Sequence, residues 1–236
     1  MPLSFLSETS DDSVSWRANY IQTFLERDIP QLGIQIPAQT LRKFWTFLAH
    51  YHGQLMNHSE ISRAFGISAP TVARYIDILE GAFMIRSLQP WYVNIGKRIV
   101  KNSKIYFKDS GLYHYLSSMN SWESLISSPQ LGASFEGFVI NHIIYISNIS
   151  EKNYYFWRTH SGSELDLFWQ YEGKNYGVEI KYMDAPGSSK SMHSAINDLK
   201  LEKLFVIYPG NKMYKLSDKI IVYPFVNIQK ENWFME

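Results

Sequence analysis

Two neighbouring runs along which apolar and charged residues alternate, residues 164–169 (ELDLFW) and 176–181 (YGVEIK), constrain this 236-residue chain more than any other stretch. Period two is the period of a strand, and a one-residue slip would turn every side chain to the wrong face. With the tight turn at Glu172-Gly173 the runs form a hairpin that sets Asp166 opposite Glu179 and Glu164 opposite Lys181. Val178, Ile180 and Tyr182 then share one face, Glu179 and Lys181 the other, and Glu164 and Asp166 share a face on the first strand. Two carboxylates across a ladder repel by some tenths up to about 1 kcal/mol, so something must offset them. A hard divalent cation held through oxygen is one candidate. The alternative is an exposed hairpin whose Glu164–Lys181 pair is a weak surface ion pair.

Composition narrows the classes. Hydrophobic residues make up 45% and charged residues 19%, so a packed core is expected, in one large or two small domains. No apolar run approaches a membrane span, and residues 1–15 lack the basic and apolar regions of a signal peptide. The absence of cysteine excludes disulfides and thiolate zinc sites, and the cytoplasm is the expected compartment. Net charge is +1, which is not that of a polyelectrolyte binder; 12 basic residues face 9 acidic ones before Ser110, and 11 face 13 after it. NIGKR at 94–98 is not a phosphate loop, and GxxxxGK[ST] is absent, so no nucleotide site and no ATP hydrolysis by this polypeptide are expected.

Along the chain, residues 13–28 carry Trp16, Tyr20, Ile21, Phe24 and Leu25 at helical spacing, with Pro30 as the stop. Residues 39–51 form a second amphipathic helix. Next comes SEISRAFGISAPTVARYIDILEG, with Ser59 and Ser68 as N-caps and Gly66 at the first helix's end: a helix-turn-helix. The β-prone runs AFMIRSL and SKIYFKD that follow predict a winged helix. Its nucleic-acid candidates are Arg74 on the second helix, opposed there by Asp77 and Glu80, and the basic run Lys97, Arg98, Lys101 and Lys104 between the strands. A solvated wing or a protein-docking winged helix is the competing reading. His50, His52 and His58 lack the spacing of a metal cluster. Residues 109–119 predict a connecting helix, and Ser128-Pro129 a boundary. A helix bearing Glu136 follows, then strand YYFWRT with Arg158 and His160, the hairpin, a helix with Lys190 and His193, and the apolar strands KLFVIYP and KIIVYPFV.

The order helix-Glu, strand-Asp, strand-ExK, helix, strand resembles the PD-(D/E)XK nuclease core, although Leu165 stands where the motif's name has Pro. The resemblance implies that Asp166 and Glu179 hold Mg²⁺ or Mn²⁺, that Glu136 adds a third oxygen, and that Lys181 orients or activates the attacking water. Arg158 is a candidate phosphate contact.

Beyond this core, ERDIPQLG, FWTFLAHYHGQ, WYVNIGKR, KDSGLYHYL, LGASFEGF, ELDLFW and GVEIK stand in the order seen in a large prokaryotic family. There an AAA-type ATPase is fused to a C-terminal domain of unknown function, and the resemblance covers nearly the whole chain. It implies an α/β (α+β) chain: a helix or linker over 1–35, a winged helix-turn-helix over 36–110, a helical connector over 111–129, and over 130–236 a restriction-endonuclease-like α/β domain with a mixed central sheet. The ATPase is absent, so the chain is expected to be a C-terminal fragment, a remnant gene or a dissected piece. Three functions follow as expectations: a Mg²⁺-dependent nuclease or nucleic-acid-processing module, a catalytically inactive docking module for an ATPase or other protein partner, and a winged-helix DNA binder.

Overall fold

A computed structural model describes residues 2–92 and 102–235. They form two compact units, residues 1–86 with 105–131 and residues 87–104 with 132–236. Helices lead and a mixed sheet follows, the α/β class expected. Among the described residues no helix is long and apolar enough to cross a membrane.

In the first unit, helix α1 (Ser10–Thr23) starts where the Thr9 side chain accepts the Asp12 N–H. Its rings Trp16, Tyr20 and Phe24 stack at successive i, i+4 positions, 5.3 and 6.3 Å between centroids. The expected stop at Pro30 is not where the helix ends. A π-helical stretch (Phe24–Asp28) and a further turn (Ile29–Gln31) carry it onward, with Pro30 in the first turn of that last piece. The wider π turn just before it accommodates the proline ring within the continuing helix.

Helix α2 (Ala38–Ala49) buries Phe44, Trp45 and Leu48 in the core with Ile21, Phe24 and Leu25. The helix-turn-helix follows as α3 (His58–Phe65) and α4 (Ala69–Gly81). Asn57 caps α3, not Ser59, by accepting the Glu60 N–H, while Ser68 caps α4 as expected. Gly66 ends α3 at φ 63°, ψ 29°, a left-handed conformation that glycine adopts without Cβ strain. Val72, Tyr75, Ile76 and Leu79 turn inward. Strands β1 (Ile85–Pro90) and β2 (Lys104–Phe107) come next. Lys97, Arg98 and Lys101, expected in the basic loop, lie outside the described residues.

His52 is an internal part of this unit. Its Nδ1 accepts the Phe107 N–H at 3.1 Å, and its ring stacks on Tyr113 at 3.9 Å. His50 and His58 are exposed. Helix α5 (Ser110–Leu116), capped by Asp109, carries His114, whose pKa is lowered to about 4 by burial and by Arg17, against the pull of Asp109. The unfolded chain therefore takes up this proton first. The unit's stability is full above about 6.5 and falls as pH drops towards 4, by roughly 2–3 kcal/mol at the end of that window. Urea titrations between pH 7.5 and 4.5 are expected to show this slope in the parent and to lose most of it in His114→Gln.

In the second unit the strands run β1-β3-β4-β5-β6-β8-β7, with β3 (Tyr154–Arg158), β4 (Glu164–Tyr171), β5 (Lys174–Ile180), β6 (Lys203–Tyr208), β7 (Tyr214–Lys215) and β8 (Ile220–Pro224). β3, β4 and β5 form an antiparallel meander, and β6 joins β5 in parallel. Glu172 and Gly173 both have positive φ, 49° and 74°, as the tight hairpin turn requires. The register follows as anticipated, from Tyr171 opposite Lys174 to Leu167 opposite Val178. β6 is apolar because it lies between two parallel neighbours, β5 and β8, and five of its six residues are buried. The short edge strand β7 was not anticipated. Helix α6 (Leu131–Ile146) precedes β3, and α7 (Lys190–Leu199), capped by Ser189, packs Met192, Ala195 and Leu199 with Leu165, Phe168 and Leu204.

Candidate functional site

The end of the central hairpin in the second unit gathers charge in the interior. Asp166 lies on β4 one residue past the Leu167–Val178 pair, and its Oδ2 accepts the Ile180 N–H at 2.7 Å. Across from it Glu179 is 6% exposed. Its Oε1 takes the Lys181 ammonium at 2.6 Å, and its Oε2 is buried with no hydrogen-bond partner. Glu179 and Lys181 thus share a face and meet, as the i, i+2 spacing requires. The expected Glu164–Lys181 pair does not form. Lys181 lies beyond β5, with its N–H on the Ile207 carbonyl, and Glu164 is paired across β3 and β4 with Arg158, Nη1 to Oε2 at 3.0 Å.

The largest departure from expectation is Lys104. As part of a basic nucleic-acid-binding run it should face solvent, but its side chain is 4% exposed. Its ammonium lies 3.1 Å from Glu136 Oε1 and 3.8 Å from Asp166 Oδ1, and it is also bonded to Glu164 Oε1. The Phe156 ring lies 5.7 Å from the same nitrogen. Glu136, on α6, is thereby brought to the Asp166 end of the cluster. Lys104 and Glu164 are the members sequence reasoning missed. A lysine opening the apolar run Ile105-Tyr106-Phe107 was the available signal, because a lysine buried with such a run needs internal partners.

Electrostatics follow from burial. The Asp166 carboxyl is held well above the usual carboxylate range by its burial and then by Glu179 and Glu136, while Lys104 and the Ile180 N–H pull the other way. Burial also raises Glu179, against Lys181 and with help from Glu136 and Glu164. For Lys181 burial favours the neutral amine, but Glu179, Asp166 and Glu136 outweigh it and raise its pKa. It stays an ammonium at any working pH.

The donor set suits a hard cation in kind: carboxylate oxygens only, one of them buried and unpartnered. Among the described residues, however, no three His, Cys, Asp or Glu side chains converge tightly enough to enclose an ion. The ammonium of Lys104 stands among the acids instead. Elsewhere, Arg74 and Asp77 are both exposed on α4, and Lys190 and His193 are exposed on α7.

Residues 131–228 match the family described as Domain of unknown function DUF4143. Among curated proteins, uncharacterized protein Mb2031c of Mycobacterium bovis and uncharacterized protein Rv2008c of Mycobacterium tuberculosis are each 44% identical over 224 residues. The alignment takes in 95% of this chain and 50% of each relative, so the chain spans about half the length of the curated relatives it matches. Among solved structures, the transcriptional regulator PA3341 aligns with 58% of this chain and 96% of its own, at 17% identity and a TM-score of 0.24. Residues 1–123, more than half the sequence, match a second family, and the chain belongs to it: Domain of unknown function DUF8612.

Proposed function

We propose that the second unit is a PD-(D/E)XK-type module whose Asp166, Glu179 and Glu136 bind Mg²⁺ or Mn²⁺ for phosphodiester hydrolysis, within a longer protein that includes an AAA-type ATPase. The observation that carries this reading is the unpartnered, buried Glu179 Oε2 beside Asp166 on the adjacent strand, with Lys181 on the same face. A bound divalent ion would supply Lewis acidity towards the scissile phosphate and lower the pKa of water. The chain's own groups have separate tasks. The Ile180 N–H fixes the Asp166 carboxylate and leaves Oδ1 to turn to a ligand. Lys181, held charged by Glu179, donates hydrogen bonds and offsets phosphate charge; it does not abstract a proton.

A second reading has its own observation in Lys104, whose ammonium already balances the acids. In that reading the unit is a catalytically inactive docking module. Nucleic-acid contact would rest on Arg74 of the helix-turn-helix and on Lys97, Arg98 and Lys101 in the sequence between β1 and β2, and would weaken steeply with salt.

Calorimetric titration of Mg²⁺ and Mn²⁺ into the parent and Asp166→Ala separates the two readings. Saturable binding in the parent, lost in Asp166→Ala, is expected, together with cutting of nucleic acid that both Asp166→Ala and Lys181→Ala abolish without unfolding the protein. Cutting retained in both variants overturns the nuclease assignment, and metal binding in neither protein favours the docking module.

A further inference from the structure

We infer that the ammonium of Lys104 is the internal counter-cation of this carboxylate cluster and that a divalent ion must displace it to bind. The second half of this inference rests on the metal-binding reading above; the first half stands on geometry alone.

A lysine with 4% of its side chain exposed is tolerated only where carboxylates surround it, and three do so here, Glu136, Glu164 and Asp166. Position explains why it would compete with an ion. Its nitrogen stands 3.1 Å from Glu136 Oε1 and 3.8 Å from Asp166 Oδ1, two of the carboxylates a divalent ion would take, and a second cation set against it would be repelled. The Glu179 Oε2 is buried with no hydrogen-bond partner, an acceptor that Lys104 leaves unserved. Lys104 also precedes the PD-(D/E)XK-type residues in sequence, so nothing in the D, E and K positions assigns it this part.

The experiment is Mn²⁺ titration, by calorimetry, of the full chain and of Lys104→Met and Lys104→Arg. Lys104→Met is expected to bind Mn²⁺ at least about tenfold more tightly than the parent, since removing the competing charge is worth more than the energy of one decade. Lys104→Arg, which keeps the charge, is expected to bind no better than the parent. In parallel, Mn²⁺ should raise the urea midpoint of Lys104→Met from its value in EDTA by more than it raises that of the parent.

Equal affinity in the parent and Lys104→Met overturns the competition while leaving the metal site intact. Equal tightening in Met and Arg overturns the role of charge. Binding in none of the three overturns this inference and the metal reading together. Should Lys104→Met not fold, Lys104→Met/Glu164→Gln removes one charge of each sign. It is then compared with Glu164→Gln alone, against which it should bind Mn²⁺ more tightly; equal affinity overturns the proposal.

Discussion

Lys104→Met is expected to cost the second unit about 3–5 kcal/mol of unfolding free energy in EDTA near neutral pH, the range for removing one partner of a buried ion pair. Methionine keeps most of the volume and length of the lysine stem, so the contact with Phe156 is largely retained and the loss reports the charge. Glu136, Glu164 and Asp166 would then lose the ammonium they share, while Glu164 keeps Arg158. The protein's escape is protonation, and Asp166 is already biased towards it by burial and by Glu179. The sign of the pH dependence follows. A carboxyl whose folded pKa is raised binds a proton that the unfolded chain does not, so it destabilises the fold above its folded pKa and less below it. The penalty of Lys104→Met should be largest at pH 8 and shrink towards pH 5. Urea titrations at the two pH values measure this, and a penalty independent of pH would mean that packing, not charge, is what Lys104 supplies.

Trp169→Ala is expected to have a similar magnitude, about 3–5 kcal/mol, but a different character. Trp169 is fully buried on β4, between Tyr154 and Tyr176 of the neighbouring strands, and its ring centroid lies 5.2 Å from that of Phe234 and 6.4 Å from that of Trp233. Deleting it opens a cavity lined by four aromatic rings, of which Tyr154 and Tyr176 are held in the sheet and Trp233 and Phe234 lie on a C-terminal 3₁₀ turn. Its Nε1 is buried without a partner, so Trp169→Phe should cost clearly less: it loses volume but also removes an unsatisfied donor. Neither variant should depend on pH between 5 and 8. Comparing the two urea midpoints distinguishes cavity formation from loss of a specific contact.

The parts of this fold legible in the sequence are those written locally. The hairpin register was set by the Glu172-Gly173 turn, where both residues adopt positive φ, together with an alternating pattern that fails if shifted by one. Ser68 and Gly66 marked the helix-turn-helix for the same reason: caps act within four residues. Short-range reasoning failed where a longer-range contact or a local competitor decided. Asn57 took the cap that Ser59 also offered, and Pro30 was absorbed by a π-helical stretch. Lys104 joins Glu136 from 32 residues away, a separation that no period or turn encodes. Glu164 then follows Arg158 and Lys104 and not Lys181, because Lys181 leaves the hairpin and gives its backbone N–H to β6.

The second unit takes its first segment, residues 87–104, from within the stretch matched by one family and residues 132–228 from the stretch matched by another. Genetic exchange at a joint between residues 123 and 131 would look harmless by family boundaries, yet it would part Lys104 from Glu136, Glu164 and Asp166. Such a recombinant would inherit the acids without their lysine. The two halves are therefore expected to travel through evolution as one unit of descent, and a lineage that acquired the second half alone would need a new cation to accompany it.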